Sequence, residues 1–461
     1  MSTDSKHANN TSSPKTITLA GGGLVGSLLS LILARKGYQV EVFESRPDMR
    51  KEDISAGRSI NLALANRGIK PLDDLGLMPK INEMLIPMRG RMVHIEGEQD
   101  NFQAYGQQAD DVIYSISRGQ LNSFLMTEAE NTGLVNFHFN HKITHVDFEN
   151  NQFTLEHNRQ SSVHGFEHLI GTDGANSQVR KAILDQGFTE NSEQPLDHSY
   201  KELCIPADSN DKHKIDKNAL HIWPRGEFML IALPNLDGSF TVTLFMPNQG
   251  ETSFESITNQ AQINQFFEHY FADVKPLLDP LSETFLANPT GKLATIKCAP
   301  WSFKDKALII GDAAHAVVPF HGQGMNCGFE DCDIIATLLP KNEDSDAFDW
   351  QMFFSQVDQH RKVNADAIAD MALENYIEMR DSVRKPQFLL QKQLAFQIQQ
   401  WFPKRFIPRY AMVMFEHIPY SQAFAIGEKH RQLLNELTQS VKDVSQLHQQ
   451  EAERLLDKYE L

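Results

Sequence analysis

Three times along this chain an apolar run of strand length stops at a glycine turn, acidic in the second and third, and gives way to a helical pattern. The first is TITLA at Thr16–Ala20, then GGGLVG, then the apolar helical stretch Leu24–Arg35. The second is HLIG at His168–Gly171, then an Asp-Gly turn, then a helix carrying Arg180. The third is ALII at 307–310, followed by GDAAHAVVPFHGQGMN at 311–326: an acidic turn, a loop with three glycines and a helix. A further strand reads at 38–43 and closes on Glu44. Strand, turn and helix in alternation predict an α/β fold with a parallel sheet. Farther on, 239–245 alternates, with Phe240, Val242 and Leu244 on one face and Thr241, Thr243 and Phe245 on the other, a strand whose mixed face meets solvent or lines a semi-polar pocket. From Asp346 the pattern is helical. Met371, Asn375 and Met379 share a face of a helix around 363–383. Leu434, Leu437, Val441 and Val444 predict one amphipathic helix that packs onto the body, with a homodimer seam as the alternative.

Composition narrows the class. With 461 residues, 41% of them hydrophobic and 22% charged, the chain can build two or three domains with real cores. A net charge of −17 argues against nucleic acid or an anionic membrane as partner, and gives an anionic co-substrate no global steering. Cys204, Cys298, Cys327 and Cys332 lack metal-ligand or CxxC spacing and fit reduced thiols in a cytoplasm; Cys327 reads as a buried packing residue before a redox thiol. Residues 1–15 are polar, read as a disordered tail and carry no signal-peptide core. The longest apolar stretch, 24–34, is too short to cross a bilayer.

The turns carry the chemistry. Gly21, Gly23 and Gly26 stand in GxGxxG spacing: the first permits a tight turn, the second lets backbone approach a pyrophosphate, and the third lets helix pack on strand. The helix that follows offers free amides and partial positive charge. Glu44, about 20 residues on, can meet a ribose 2′-hydroxyl. Asp312 stands where a carboxylate accepts a sugar hydroxyl, and Gly322 and Gly324 let amides come close to a flat ligand. These features predict a bound dinucleotide.

The order GxGxxG, DG, GD resembles that of the single-component flavoprotein aromatic hydroxylases, which are built like para-hydroxybenzoate hydroxylase. GRSINLAL at 57–64, MRGRMVH at 88–94, the stretch 220–245, PTGKLAT at 289–295, ALENYIEM at 372–379 and RFIPRY at 405–410 narrow the resemblance, over most of the chain, to the kynurenine 3-monooxygenase family in its soluble bacterial form. The resemblance implies a Rossmann-like FAD-binding domain (16–87, 109–195 and 300–345) interleaved with a mixed β-sheet substrate domain (88–108 and 196–299), then a C-terminal helical region (346–461). It implies FAD held by Gly21, Gly23, Gly26, Glu44, Arg46, Arg58, Ala63, Arg118, Asp173, Asp312, Gly322, Gly324, Met325 and Asn326. The implied reaction is hydroxylation of L-kynurenine with NADPH and O2 through a flavin C4a-hydroperoxide, as a step of tryptophan degradation in the cytoplasm. No second GxGxxG unit serves NADPH, which must then dock transiently in a groove the sequence does not mark.

Kynurenine joins an α-amino acid head to an aniline ring, so its site needs one fixed cation, several neutral donors and an apolar slot. Arg91 supplies a planar fork for the carboxylate, with Arg89 as the decoy two residues earlier. Tyr105, Asn375 and Tyr410 fall on the family's other substrate-head positions, and Leu220, Met229, Ile231, Thr243, Phe245 and Phe320 on the ring slot. His321 is an acid/base candidate, with an orienting role preferred, and Phe320 borders the transfer site; no catalytic base is required, because the aniline already enriches its ring. The rival functions are a flavin hydroxylase of another aromatic acid, a flavin-dependent reductase or oxidase, and a flavin-binding scaffold without activity.

Overall fold

In a computed structural model, residues 15–51, 61–342 and 347–461 are described. Arg58, most of the 1–15 tail, Gly57 to Ile60 of the GRSINLAL stretch and Asp346 at the expected start of the helical region lie outside them.

The three strand–turn–helix units become neighbours in one six-stranded sheet. Its order is Ser302–Phe303, Ala307–Ile309, His168–Gly171, Thr16–Ala20, Gln39–Glu44, Val135–Phe139, with all but the first strand parallel. Ala20 is level with Gly171 and Phe43, and Gly171 with Ile309, so all three glycine turns emerge at one carboxyl edge, where open α/β sheets bind ligands. Ile17, Leu19, Val40, Val42, Leu169, Ile170, Leu308 and Ile309 are fully buried, as expected of a sheet covered on both faces. Helix Leu24–Arg35 buries ten of its twelve residues and packs against helices Gly324–Leu338 and Arg118–Glu130.

A seven-stranded sheet runs Gly291–Ala299, Glu190–Ile205, Phe240–Pro247, Met229–Pro234, Leu220–Pro224, Gly90–Val93, Asn101–Ala104, antiparallel except where Leu220–Pro224 meets Gly90–Val93. Phe240, Val242, Leu244 and Leu230 bury one face against Phe266, Phe267 and Phe285, from helices Gln260–Tyr270 and Leu281–Ala287, and against Phe271, which ends the first of them. The mixed face is closed as well. Thr243 is 4% exposed and Phe245 2%, and Phe245, Met229, Leu220 and Ile222 join the main core with Phe320 and Tyr376. This side of the strand lines the interior between the sheets, which excludes its solvent-facing reading.

Helix Trp350–Arg380 extends the expected 363–383 segment at its start and stops short at its end, where Ser382–Arg384 forms a separate 3-10 turn. The C-terminal apolar spacing does not belong to one helix. Helix Tyr420–Ser440 ends before Val441, which is extended, and Val444 opens another 3-10 turn. Leu437 and Val441 still meet Leu394, Ile398, Phe406 and Leu455 in one buried cluster, so packing against neighbouring helices, rather than helix continuity, sets that spacing. Among the described residues no helix is long and apolar enough to cross a membrane.

Candidate functional site

At the carboxyl edge of the parallel sheet the glycines divide by what surrounds them. A Cβ on Gly21 would stand 2.5 Å from the Thr172 carbonyl oxygen, and one on Gly26 would stand 2.1 Å from that of Gly21. The protein's own packing therefore demands glycine at both. A Cβ on Gly23 would meet nothing within 4 Å, although Gly23 caps the N-terminus of helix Leu24–Arg35. Open space beside free helical amides fits a pyrophosphate.

Glu44 is 4% exposed. One oxygen accepts the Gly22 N–H at 2.8 Å, and the other accepts the Arg46 N–H and Nε, each at 2.8 Å. Burial pushes this carboxyl up, but the bonds from Arg46 and Gly22 outweigh it and hold it below the usual range, so a ribose would meet a carboxylate. Asp173 accepts the Gln178 N–H at 2.7 Å, and its Oδ1 is buried with no partner among the described residues. Arg180 bridges the second and third turns by donating to the Ala313 carbonyl at 2.8 Å and to that of Ala175 at 2.5 Å.

In the third turn Gly311 adopts φ 59° and Asp312 stands exposed at the start of helix Asp312–His315. Asn326 donates to the carbonyls of Ala63 and Gly322, both at 2.8 Å, and accepts the Ala65 N–H at 2.9 Å. Its amide thus ties strand Asn61–Leu64 to the glycine loop. Gly322 is left-handed, Gly324 and Met325 open helix Gly324–Leu338, and Arg118 is exposed at the first position of helix Arg118–Glu130.

Behind this loop lies a buried ionic chain. The Asp331 carboxylate accepts the Gly311 N–H at 2.8 Å, His315 Nε2 at 2.6 Å and Arg361 Nε at 2.6 Å. Arg361 also pairs with Glu330, which pairs in turn with Arg67, and Arg67 donates to the carbonyls of Met412, Val413 and Ile418. Cys327 is fully buried, its Sγ 3.3 Å from Arg361, a position that fits packing.

The substrate-head residues converge from four segments: strand Gly90–Val93, the residue after strand Asn101–Ala104, helix Trp350–Arg380 and helix Arg409–Met414. Arg91, 5% exposed on strand Gly90–Val93, lies 5.0 Å from the Tyr410 ring and 5.9 Å from that of Tyr105, and the two rings stack at 5.1 Å. Its NH2 is 3.5 Å from Asn375 Oδ1, on helix Trp350–Arg380. Arg91 Nε is buried with no partner among the described residues, a donor that a ligand carboxylate can take up. Arg89, by contrast, is exposed. Burial opposes the Arg91 charge, but the Glu378 carboxylate more than offsets it and keeps the guanidinium protonated. Burial pushes the Tyr105 phenol up to about 12 and that of Tyr410 well above its ordinary value. Both are neutral hydrogen-bonding groups.

Two neighbours escaped the sequence reading. Glu378 accepts from Arg91 NH1 at 2.8 Å; its position three residues after Asn375, on the same helix face, was the available signal. Tyr376 stacks on Phe320 at 3.8 Å, but adjacency to Asn375 predicts the wrong face, so no local pattern marks it. Phe245 meets Phe320 edge-on at 4.9 Å, His321 stacks on Tyr410 at 5.6 Å, and Asn375 donates to the Phe320 carbonyl at 2.6 Å. The 3-10 turn Pro319–His321 thus joins the head to the ring slot, whose floor carries Leu220, Met229, Ile231, Thr243 and Phe245 on one face of the sheet.

Burial pushes the His321 imidazole down to about 3, and those of His221 and His430 to about 4. His321 is therefore neutral at working pH, so kcat should show no limb from it between about pH 5 and 8. All three histidines bind fewer protons folded than unfolded, so their contribution to stability is complete above the free-imidazole value and declines as pH falls from about 6.5 toward 4. Denaturant unfolding at pH 6.5 and pH 5 should show the weaker fold at the lower pH. Equal midpoints would contradict the burial of these rings as neutral groups.

This arrangement has counterparts in known proteins. Residues 15–350 match the FAD binding domain family. Kynurenine 3-monooxygenase of Myxococcus xanthus (strain DK1622) is 45% identical over 92% of this chain and 91% of its own length. That of Legionella pneumophila (strain Lens) is 41% identical over 97% and 98%, and that of Dictyostelium discoideum 42% over 96% and 98%. Among solved structures, 2-methyl-3-hydroxypyridine-5-carboxylic acid oxygenase superposes with a TM-score of 0.66 at 17% identity, covering 83% of this chain and 97% of its own. For p-nitrophenol 4-monooxygenase of Pseudomonas putida DLL-E4 the score is 0.63 at 16% identity, over 92% and 98%. These two share the fold. Turns that suit FAD, an aromatic slot and sequence identity along nearly the whole length lead to one assignment: the chain belongs to the kynurenine 3-monooxygenase family of FAD-dependent flavoprotein monooxygenases.

Proposed function

We propose that this protein hydroxylates L-kynurenine to 3-hydroxy-L-kynurenine, using FAD, NADPH and O2, in the cytoplasm. The observation that carries the reading is the buried, protonated Arg91, set among Tyr105, Tyr410 and Asn375 with an unpartnered Nε, at the end of an aromatic slot that runs to the glycine loop. Four free cysteines accord with a reducing compartment.

When bound, FAD supplies acceptance of hydride from NADPH and activation of oxygen. Glu44, with Gly21, Gly23 and Gly26, would hold the adenosine ribose and pyrophosphate, and Asp312 with Gly322 to Met325 the flavin end; Arg46, bonded to Glu44, would orient that carboxylate toward the ribose. The chain's own residues do the rest. Arg91 binds the substrate carboxylate, and the two phenols and Asn375 fix its orientation. Phe245, Phe320 and Tyr376 exclude water from the ring. Neutral His321 orients rather than transfers a proton.

The domain division follows the sheets: the six-stranded sheet belongs to the FAD-binding domain and the seven-stranded sheet to the substrate domain, with the helices beyond residue 346 packed across them. Strand Glu190–Ile205 pairs along both halves with the second sheet, so we set that boundary just before Glu190 rather than at 195/196.

Purified protein should oxidise NADPH faster when kynurenine is added and yield a product heavier by one oxygen atom. Absence of stimulation refutes the substrate; stimulation without an oxygenated product favours a reductase or oxidase.

A further inference from the structure

The substrate head has a positive group as well as a negative one. Arg91, Tyr105, Tyr410 and Asn375 account for the carboxylate, and none of them is a dedicated acceptor for an α-ammonium. The neighbouring strand offers one. Gln103, on strand Asn101–Ala104, stands directly opposite Arg91, which in turn stands opposite Leu220. Cross-strand partners put their side chains on the same face, about 4.5 to 5.5 Å apart, and Tyr105, two residues after Gln103, points the same way. Gln103 therefore belongs to the row that carries the head residues.

Its chemistry is unresolved inside the protein. Gln103 is 6% exposed, yet its Oε1 has no partner among the described residues. The amide nitrogen faces the Val383 carbonyl at 3.5 Å. That carbonyl cannot donate, so it fixes which end of the amide is oxygen. The bond is long and does little for the fold. A buried acceptor left without a proton costs stability, and a ligand's N–H placed in this row would satisfy it. An α-amino acid whose carboxylate is held by Arg91 presents its ammonium one carbon away, within reach of the adjoining strand. The nearby carboxylate, Glu378, is engaged with Arg91 NH1 at 2.8 Å, and the Asn375 amide, anchored through its nitrogen on the Phe320 carbonyl at 2.6 Å, keeps its Oδ1 on the Arg91 side.

We propose that Gln103 Oε1 accepts a hydrogen bond from the substrate's α-ammonium, making Gln103 the residue that distinguishes an α-amino acid from the corresponding simple carboxylic acid. This rests on the kynurenine reading above.

The test compares L-kynurenine with its desamino analogue, which keeps the ring and carboxylate, as stimulants of NADPH oxidation by the FAD-loaded enzyme. Gln103→Leu should raise KM for kynurenine by roughly ten-fold or more, the worth of a hydrogen bond to a charged group. KM for the analogue, kcat and the flavin spectrum should stay near wild type. A purely structural defect would shift both compounds alike, and that result overturns the proposal. So does a Gln103→Leu enzyme that keeps its preference for kynurenine while Glu378→Gln loses it. A wild type stimulated by both compounds equally shows no ammonium recognition and overturns Gln103 alone. A wild type stimulated by neither overturns the kynurenine reading and this inference with it.

Discussion

Arg91→Ala is expected to abolish most of the affinity for kynurenine while leaving bound FAD and its absorption spectrum intact. The lost interaction is a charge-assisted pair in a site closed to water, since the Arg91 side chain is only 6% exposed. Truncating one partner of such a pair costs about 2–5 kcal/mol, or roughly 30- to several-thousand-fold in Kd. The fold should tolerate the change. The variant removes the buried charge itself, and its partner Glu378, 29% exposed, can recover water. FAD should stay because Arg91 lies on the seven-stranded sheet, whereas Gly21 to Gly26 and Glu44 lie at the edge of the parallel one. Arg91→Lys should fall in between, keeping the charge and losing the fork. Titration calorimetry with kynurenine beside a flavin spectrum reads both quantities; unchanged affinity would remove Arg91 from the site.

What the sequence showed depended on how local the cause was. Strand Thr16–Ala20 and helix Leu24–Arg35 occur at the expected residues because each is specified by its own apolar run and by a glycine turn whose steric demand is local. The mixed face of 239–245 could not be assigned from its alternation. Whether Thr243 meets water or a pocket depends on helix Trp350–Arg380, more than a hundred residues away. Val441 and Val444 continue an apolar spacing past the end of their helix because both pack into the cluster that Leu394 and Leu455 bring from other elements. Glu378, Tyr376 and Gln103 are ordinary polar or aromatic residues in sequence. Helix spacing from Asn375 points to Glu378, but Tyr376 and Gln103 gain meaning only once tertiary packing sets them beside Phe320 and Arg91. Asn326 stands where the flavin loop was expected, yet its amide is occupied by Ala63, Ala65 and Gly322, so it shapes the loop through its neighbours.

The largest stability effect should come from a residue with no place in the predicted site. Asp331→Ala removes the acceptor shared by Gly311, His315 and Arg361 and leaves two cations and an N–H facing a void. Breaking a buried ion pair by deleting one partner costs about 3–5 kcal/mol, a large part of a typical folding free energy of roughly 5–15 kcal/mol. The loss should reach the cofactor too, because Gly311 holds its unusual φ directly before Asp312. A lower unfolding midpoint and weaker FAD retention should therefore appear together. The pH dependence gives an independent check. Burial opposes the charge on His315, but the neighbouring Cys327 and Asp331 raise its pKa well above the ordinary value; burial likewise opposes ionisation of Asp331, but His315 and Arg361 lower its pKa. The raised His315 contributes stability that is complete below about pH 6.5 and lost as pH rises through its folded value, whereas the depressed Asp331 contributes stability lost only as pH falls below about 3.9. Asp331→Asn keeps the shape and one acceptor but removes the charge, so His315 should lose much of that raised affinity for its proton. The alkaline decline in stability that His315 gives the wild type should then flatten in Asp331→Asn, although the fold persists. Parallel stability–pH curves for wild type and Asp331→Asn above pH 6.5 would mean that Asp331 does not set the charge of His315, and that the ion pair beneath Asp312 contributes nothing to this pH dependence.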